Sequence, residues 1–97
     1  AKYFALPVQG LNRKFDDLVT ISGKYCESGD YLIKDIYLPK LLRDEYIAMP
    51  MSGAYQLAMS SNYNLAYKPA VILIKDSTSK LLRKRENIND IIALDII

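Results

Sequence analysis

The sequence predicts a mainly β fold with one or two short helices. Short segments rich in β-branched and aromatic residues recur along the chain, which is typical of strands. Clusters of Pro, Gly, Asp, Asn and Ser separate these segments, as expected of turns. Helical spacing of apolar residues occurs only in two short stretches, one after Ser52 and one after Asn87.

The first half of the chain contains most of the predicted strands. An edge strand and loop within residues 1–10 precede the predicted strands at residues 18–21, 31–38 and 46–49. Gly23, Pro39 and Pro50 follow these strands and terminate them, because Gly weakens a strand and Pro donates no ladder hydrogen bond. Residues 12–17 and 40–45 are polar or charged and are predicted to be exposed connectors.

A short helix and a hairpin are predicted in the second half. Ser52 is a favourable N-cap for a helical turn through Met59, and residues 60–64 form a polar loop. The apolar run 70–74 is predicted to be a buried strand, joined by a turn at residues 76–79 to a partner strand at residues 80–85.

A terminal helix is predicted to begin after Asn87, since Asp90 three residues later completes a capping pair. Its apolar positions at helical spacing are Ile88, Ile91, Ile92 and Ile96.

Composition indicates one soluble globular domain over residues 1–97, with 51% apolar and 25% charged residues. The longest apolar run is far shorter than the roughly 20 residues of a membrane span, and no leader pattern opens the chain. A single cysteine excludes an internal disulfide and fits a reducing compartment, so a cytoplasmic location is expected.

The absence of histidine excludes zinc fingers and Ser-His-acid sites. A carboxylate-based site is the main remaining possibility for a metal, and no metal ligand is predicted. A net charge of +2 is too small to indicate nucleic-acid binding. The basic residues Lys80, Arg83, Lys84 and Arg85 are therefore predicted to be a solvated strand face. The apolar residues of the C-terminal end form either an interaction surface or a docking face; they are Ile91, Ile92, Leu94, Ile96 and Ile97.

The segment GKYCESGD, residues 23–30, places the only cysteine beside one carboxylate and near another. The negative charges of Glu27 and Asp30 disfavour a thiolate at Cys26, which favours a proton donor over a nucleophile. The alternative is a small buried apolar residue. Strand alternation points Cys26 and Glu27 to opposite faces, so the turn at Gly29 must bend the backbone if both serve one pocket.

Several separated motifs agree on one family. The motifs are CESGD at 26–30, GAY at 53–55, MSSNYN at 59–64, KPAVILI at 68–74 and LLRKRE at 81–86. In this order and spacing they resemble the C-terminal domain of the diaminopimelate decarboxylases, which are barrel-type, alanine-racemase-like enzymes that use pyridoxal 5'-phosphate. The resemblance implies a β-sandwich or Greek-key-like barrel, the smaller part of a two-domain enzyme.

The resemblance also implies a homodimer and a separate N-terminal (β/α)8 barrel that binds the cofactor covalently. Neither the cofactor lysine nor the phosphate loop of that barrel is found in these residues, so the isolated chain is expected to be inactive. The full enzyme would convert meso-diaminopimelate to L-lysine and CO2 in lysine biosynthesis. The alternatives are a decarboxylase of ornithine, arginine or carboxynorspermidine, and a non-catalytic β interaction module.

The resemblance implies roles for Cys26 and Glu27 of the CESGD loop, and turn chemistry indicates roles for Gly29 and Asp30. Cys26 would be the catalytic general acid that reprotonates the α-carbon, reaching across the dimer interface into the partner's site. Glu27 would bind the distal ammonium of the substrate; its alternative is a solvated loop carboxylate. Gly29 would permit the bend, and Asp30 would organise the turn without touching substrate.

The GAY motif would contact the cofactor and the substrate. The hydroxyl of Tyr55 would donate to the cofactor phosphate and lie against the substrate, and Gly53 would allow close approach. The alternative is a packing role, because Tyr55 is one of eight tyrosines in the chain.

Overall fold

The computed structural model describes residues 3–96, which divide into two compact units after Ala58. The predicted mainly β fold with two short helices is confirmed. In chain order the elements are β1 (Leu6–Pro7), β2 (Asp17–Ser22), β3 (Tyr31–Leu38), β4 (Ile47–Ala48), α1 (Gly53–Gln56), a 3-10 turn (Tyr63–Leu65), β5 (Val71–Lys75), β6 (Thr78–Arg83) and α2 (Ile88–Ile91). None of these helices is long and apolar enough to cross a membrane.

The first unit contains two antiparallel strand pairs, β1 with β4 and β2 with β3. The strands predicted at residues 18–21 and 31–38 are confirmed, whereas β4 is shorter than the predicted 46–49. The predicted edge strand corresponds to β1, except for Ala1 and Lys2, which lie outside the described residues. Leu38, Pro7 and Pro39 are fully buried, so the end of β1, the end of β3 and the proline that follows it supply the core of this unit.

The helix after Ser52 is shorter than the predicted turn through Met59, and its capping differs. Ser52 occupies the N-cap position, but its side chain makes no capping hydrogen bond. The Ser52 hydroxyl instead donates to the carbonyl of Met49 at 2.7 Å, toward the preceding segment rather than the helix. The predicted capping role of this serine was therefore wrong.

The hairpin of the second unit is confirmed, with β5 antiparallel to β6. Its turn is only Asp76–Ser77, shorter than the predicted 76–79, and both residues have positive φ values of 51° and 60°. Such a two-residue turn matches the twist of the flanking strands, so pairing resumes at Thr78.

The predicted burial of the 70–74 strand was wrong. Within β5, Val71 is half-buried and every following residue is exposed. Two strands alone have too few neighbouring side chains to cover a face. Ile74, for example, is 77% exposed.

The predicted capping pair of α2 is confirmed. Asn87 Oδ1 accepts hydrogen bonds from the backbone N–H groups of Asn89 and Asp90, and Asp90 Oδ2 accepts from the N–H of Asn87 at 2.8 Å. The helix ends at Ile91, so Ile96 lies beyond it and is fully exposed.

Glu86 joins the segment before β5 to the segment after β6. Its Oε1 accepts hydrogen bonds at 2.7 Å from the backbone N–H of Lys68 and from the side-chain amide of Asn62. The Asn62 amide also donates to the carbonyl of Ala66, which is buried. These hydrogen bonds favour the ionised carboxylate, so they lower the pKa of Glu86 below its usual 4.5, the Lys68 N–H contributing most.

This lowered pKa predicts a loss of stability in acid. A carboxylate with a lower pKa in the folded state contributes stability that is complete above its unfolded pKa and is lost as the pH falls through the folded value. We expect the urea unfolding midpoint to fall less steeply for Glu86→Gln than for wild type between about pH 6 and pH 3. A smaller slope should remain, because hydrogen bonds from Arg13 and Lys84 also lower the pKa values of Glu45 and Asp90.

Glu86→Ala is the control, because glutamine keeps an acceptor oxygen for Asn62 and Lys68 and alanine does not. Near neutral pH the alanine variant should be the less stable of the two. Identical pH slopes for wild type and Glu86→Gln would contradict the assignment.

Candidate active site

The loop between β2 and β3, residues 23–30, is held closed by Asp30. The Gly23 N–H donates to the carbonyl of Asp30, and the Tyr25 N–H donates to its Oδ2, both at 2.8 Å. One residue therefore joins the two ends of the loop through its backbone and its side chain. This is the turn-organising contact expected of Asp30.

The tip of the loop presents Cys26 and Glu27 on consecutive turns. The Glu27 N–H donates to the carbonyl of Tyr25 at 2.9 Å, and the Asp30 N–H donates to the carbonyl of Glu27 at 3.3 Å. Cys26 and Glu27 are both exposed within the described chain. Cys26 is therefore not buried there, as the alternative interpretation of a small buried apolar residue would require. The φ angle of Gly29 does not lie in the left-handed region, so the bend does not depend on the ability of glycine to adopt a positive φ.

Gly23 is a residue that the sequence analysis missed. A Cβ atom at this position would overlap the carboxylate of Asp30, which therefore occupies the space that a side chain would fill. The only signal in the sequence was a glycine at the end of a strand, and that signal indicated no more than strand termination.

We expect Gly23→Ala to destabilise the loop. The added methyl group forces the Asp30 carboxylate away from the Tyr25 N–H, and overpacking of this kind costs about 1–3 kcal/mol. Urea unfolding of the chain measures the cost, and the Tyr25 amide shift in NMR spectra reports the lost hydrogen bond.

Gly29→Ala is the matched control in the same loop. A Cβ there would lie 3.8 Å from Glu27 Oε1, an ordinary van der Waals contact, so little change is expected. Equal destabilisation by both substitutions would show that the contact between Gly23 and Asp30 does not cause the loss of stability.

Gly53 and Tyr55 lie on α1, a different element from the loop. Tyr55 is 61% exposed, so a buried packing role does not apply to it within the described chain. A Cβ built on Gly53 meets no atom of the described residues within 4 Å, so the backbone there borders open space. The structure thus brings Cys26, Glu27, Gly29 and Asp30 together in one loop and places the GAY residues on the short helix.

An ion pair joins two connectors of the first unit. Arg13 donates to Glu45 Oε1 at 2.9 Å, and Glu45 Oε2 accepts from the Leu42 N–H at 2.6 Å. A cleft of about 300 Å³ lies beside this pair and is lined by residues that include Val8 and Tyr46. The sequence contained no signal for the pair, because its members lie 32 residues apart.

The predicted basic face is exposed, whereas the predicted C-terminal apolar surface is exposed only in part, because Ile91 and Ile92 are half-buried. All residues from Lys80 to Arg85 are exposed, as predicted for a solvated face, and Lys84 Nζ lies 2.6 Å from Asp90 Oδ2. Leu94 and Ile96 are also exposed, and Ile97 lies outside the described residues. Between residues 3 and 96 no group of three or more Cys, Asp or Glu side chains is arranged to hold a metal ion.

The family model described as "Pyridoxal-dependent decarboxylase, C-terminal sheet domain" matches residues 2–53, so this chain belongs to that family. Its curated relatives carry a particular name. The protein of Staphylococcus aureus (strain COL) named diaminopimelate decarboxylase is 46% identical over 96 residues, which cover 98% of this chain and 23% of that protein.

Other relatives agree with this result. The diaminopimelate decarboxylase of Bacillus subtilis (strain 168) is 41% identical over 99% of this chain and 22% of its own length. Among solved structures, AQ1208 from Aquifex aeolicus matches with a TM-score of 0.89 and 40% identity, over 99% of this chain and 24% of that one. Diaminopimelate decarboxylase from M. jannaschii in complex with L-lysine matches with a TM-score of 0.85 and 32% identity, over 100% of this chain and 22% of that one.

The resemblance inferred from the sequence motifs is therefore confirmed. The chain spans about a quarter of the length of the relatives that it matches.

Proposed function

We propose that this chain is the C-terminal domain of a diaminopimelate decarboxylase, which in its full-length form converts meso-diaminopimelate to L-lysine and CO2. The observation that carries the proposal is the exposed pairing of Cys26 and Glu27 at the tip of a loop closed by Asp30. A thiol and a carboxylate side by side suit a reaction that needs a proton donor and an anion for a second ammonium group. The names of the relatives support the same substrate.

The residues of α1 fit a phosphate-bearing cofactor. Tyr55 is largely exposed, and the open side of Gly53 leaves room for a bulky anion. We assign to Tyr55 a hydrogen bond from its hydroxyl to the phosphate of pyridoxal 5'-phosphate and a contact with the substrate. When bound, that cofactor delocalises the electrons left by the departing CO2.

Cys26 and Glu27 have separate tasks in this proposal. Cys26 gives the proton of its Sγ to the α-carbon after CO2 has left. Glu27 holds the distal ammonium and so fixes which end of the substrate faces the thiol. Gly29 and Asp30 shape the loop behind them.

The proposal includes the other parts of the enzyme. An N-terminal barrel domain carries the cofactor lysine, two chains form a homodimer, and the enzyme is cytoplasmic. Exposed apolar residues support such contacts, because Leu94 is 95% exposed and Ile72 is 56% exposed, and large apolar surfaces are normally covered.

The test is a substrate profile of the full-length enzyme. We expect CO2 release and lysine formation from meso-diaminopimelate, with much lower kcat/KM for ornithine, arginine and carboxynorspermidine. A higher kcat/KM for one of the other three substrates would show that the enzyme is a decarboxylase of that substrate instead. No turnover of any substrate by the cofactor-loaded enzyme would instead favour a non-catalytic interaction module.

Hybrid dimers test whether the loop serves the partner's site. We expect an inactive variant of the cofactor lysine, mixed and re-assembled with an inactive Cys26→Ala variant, to recover activity. Random re-assembly gives half hybrid dimers with one intact site each, so recovery approaches one quarter of wild type. Absence of recovery, with hybrid formation verified by native mass spectrometry, would place the loop in its own chain's site.

A further inference from the structure

Strand β3 contains two more residues than the matching part of β2. Val19 pairs with Ile36, Ile21 with Ile33, and Ser22 with Tyr31. Two residues of β2 therefore face three residues of β3 in the first interval, and one faces two in the second. Each interval is a β-bulge, and bulges bend a strand and increase its twist.

The first bulge is built on Thr20 and Asp35. Asp35 has a φ of 55°, an uncommon conformation for a residue other than glycine. Its N–H donates to the Thr20 side-chain Oγ1 at 3.2 Å, so a side-chain oxygen takes the place of a ladder carbonyl. Aspartate tolerates this backbone conformation better than most residues do.

The bulge decides which side chains share a face. Val19 and Ile21 are half-buried on β2, and Ile36 and Ile33 are half-buried on β3. Residues three apart on a regular strand point to opposite faces. The extra residue lets Ile33 and Ile36 lie on one face, and it leaves Lys34 on the other, where its Nζ lies 4.2 Å from the centroid of the Tyr31 ring.

We propose that Thr20 and Asp35 are positioning residues for the loop of residues 23–30. The bulge they form lies in the hairpin from which that loop extends, separated from the loop by the pairs Ile21–Ile33 and Ser22–Tyr31. The bend that the bulge puts into the two strands therefore helps to set the direction of Cys26 and Glu27. The inference rests on the proposed function. It adds two residues that touch neither substrate nor cofactor and act through the backbone of β3.

The test uses Thr20→Val in the full-length enzyme, because valine keeps the β-branched shape and removes the acceptor oxygen. We expect kcat/KM for meso-diaminopimelate to fall about tenfold or more, with cofactor absorbance retained. Thr20→Ser keeps the oxygen and should restore most of the activity. Asp35→Gly accepts the positive φ and should remain active, whereas Asp35→Val should not.

A second measurement does not depend on activity. The rate of Cys26 alkylation by iodoacetamide, followed by peptide mass spectrometry, should change in Thr20→Val and return to the wild-type rate in Thr20→Ser. Wild-type kcat/KM and alkylation rate in Thr20→Val, or equal defects in the valine and serine variants, would overturn the inference. A change in alkylation rate in an enzyme that decarboxylates no substrate would support the positioning role and reject the proposed function.

Discussion

Replacing Cys26 by alanine in the full-length enzyme is expected to lower kcat by about 10²–10⁴-fold, the usual contribution of a positioned general acid. The exposed thiol lies at the tip of a loop whose backbone N–H groups at Gly23 and Tyr25 donate hydrogen bonds to Asp30. KM should change little, because the proton is needed only after CO2 has left. Stopped-flow and steady-state assays with meso-diaminopimelate measure both constants.

Ser28→Ala is the matched control for this substitution. Ser28 is an exposed neighbour in the same loop, and its replacement should leave kcat within about twofold of wild type if only the thiol carries the proton. Comparable losses of kcat in both variants would indicate loop disruption. A Cys26→Ala enzyme with normal kcat would remove the thiol from the mechanism.

Glu27→Gln is expected to lower kcat/KM for meso-diaminopimelate by about 10- to 150-fold, since a hydrogen bond to a charged group contributes about 1.5–3 kcal/mol and each 1.36 kcal/mol is tenfold. The glutamine keeps the size of the side chain and loses the negative charge that attracts the distal ammonium. The loss should be small for a substrate analogue that lacks this ammonium. Competition assays with both compounds give the ratio directly.

Asp16→Asn controls for the loss of one negative charge elsewhere in the unit. Asp16 is exposed in the connector before β2, and its replacement should leave the selectivity ratio unchanged. An unchanged ratio in Glu27→Gln as well would mean that the carboxylate is only solvated. In that case another negatively charged group of the enzyme would have to bind the distal ammonium of meso-diaminopimelate.

Local patterns predicted the elements that local interactions stabilise. The capping pair of Asn87 and Asp90 needs only residues three apart, and the strand at 31–38 needs only its own β-branched and aromatic residues and the proline that follows. The same holds for the β5–β6 hairpin, although its turn was drawn too long. The CESGD loop was likewise visible as a motif, because its residues are consecutive.

Contacts between residues that are distant in the chain could not be predicted from the sequence. Thr20 meets Asp35 across 15 residues, Asn62 meets Glu86 across 24, and Arg13 meets Glu45 across 32. The strand alternation that the sequence analysis used assumes a regular ladder, and the bulge at Asp35 interrupts that ladder. The burial of β5 was wrong for a related reason, since an apolar run does not reveal whether another element covers it.

The sequence by itself determined the class of fold, most strand positions and the family, because these depend on residue types within short windows and on motif order. Only the tertiary structure decided that Asp30 closes the loop against a bare Gly23, that two bulges lie at its base, and that Cys26 and Tyr55 are exposed. Pairing register and solvent exposure depend on which distant segments pack against each other, and a local sequence pattern does not contain that information.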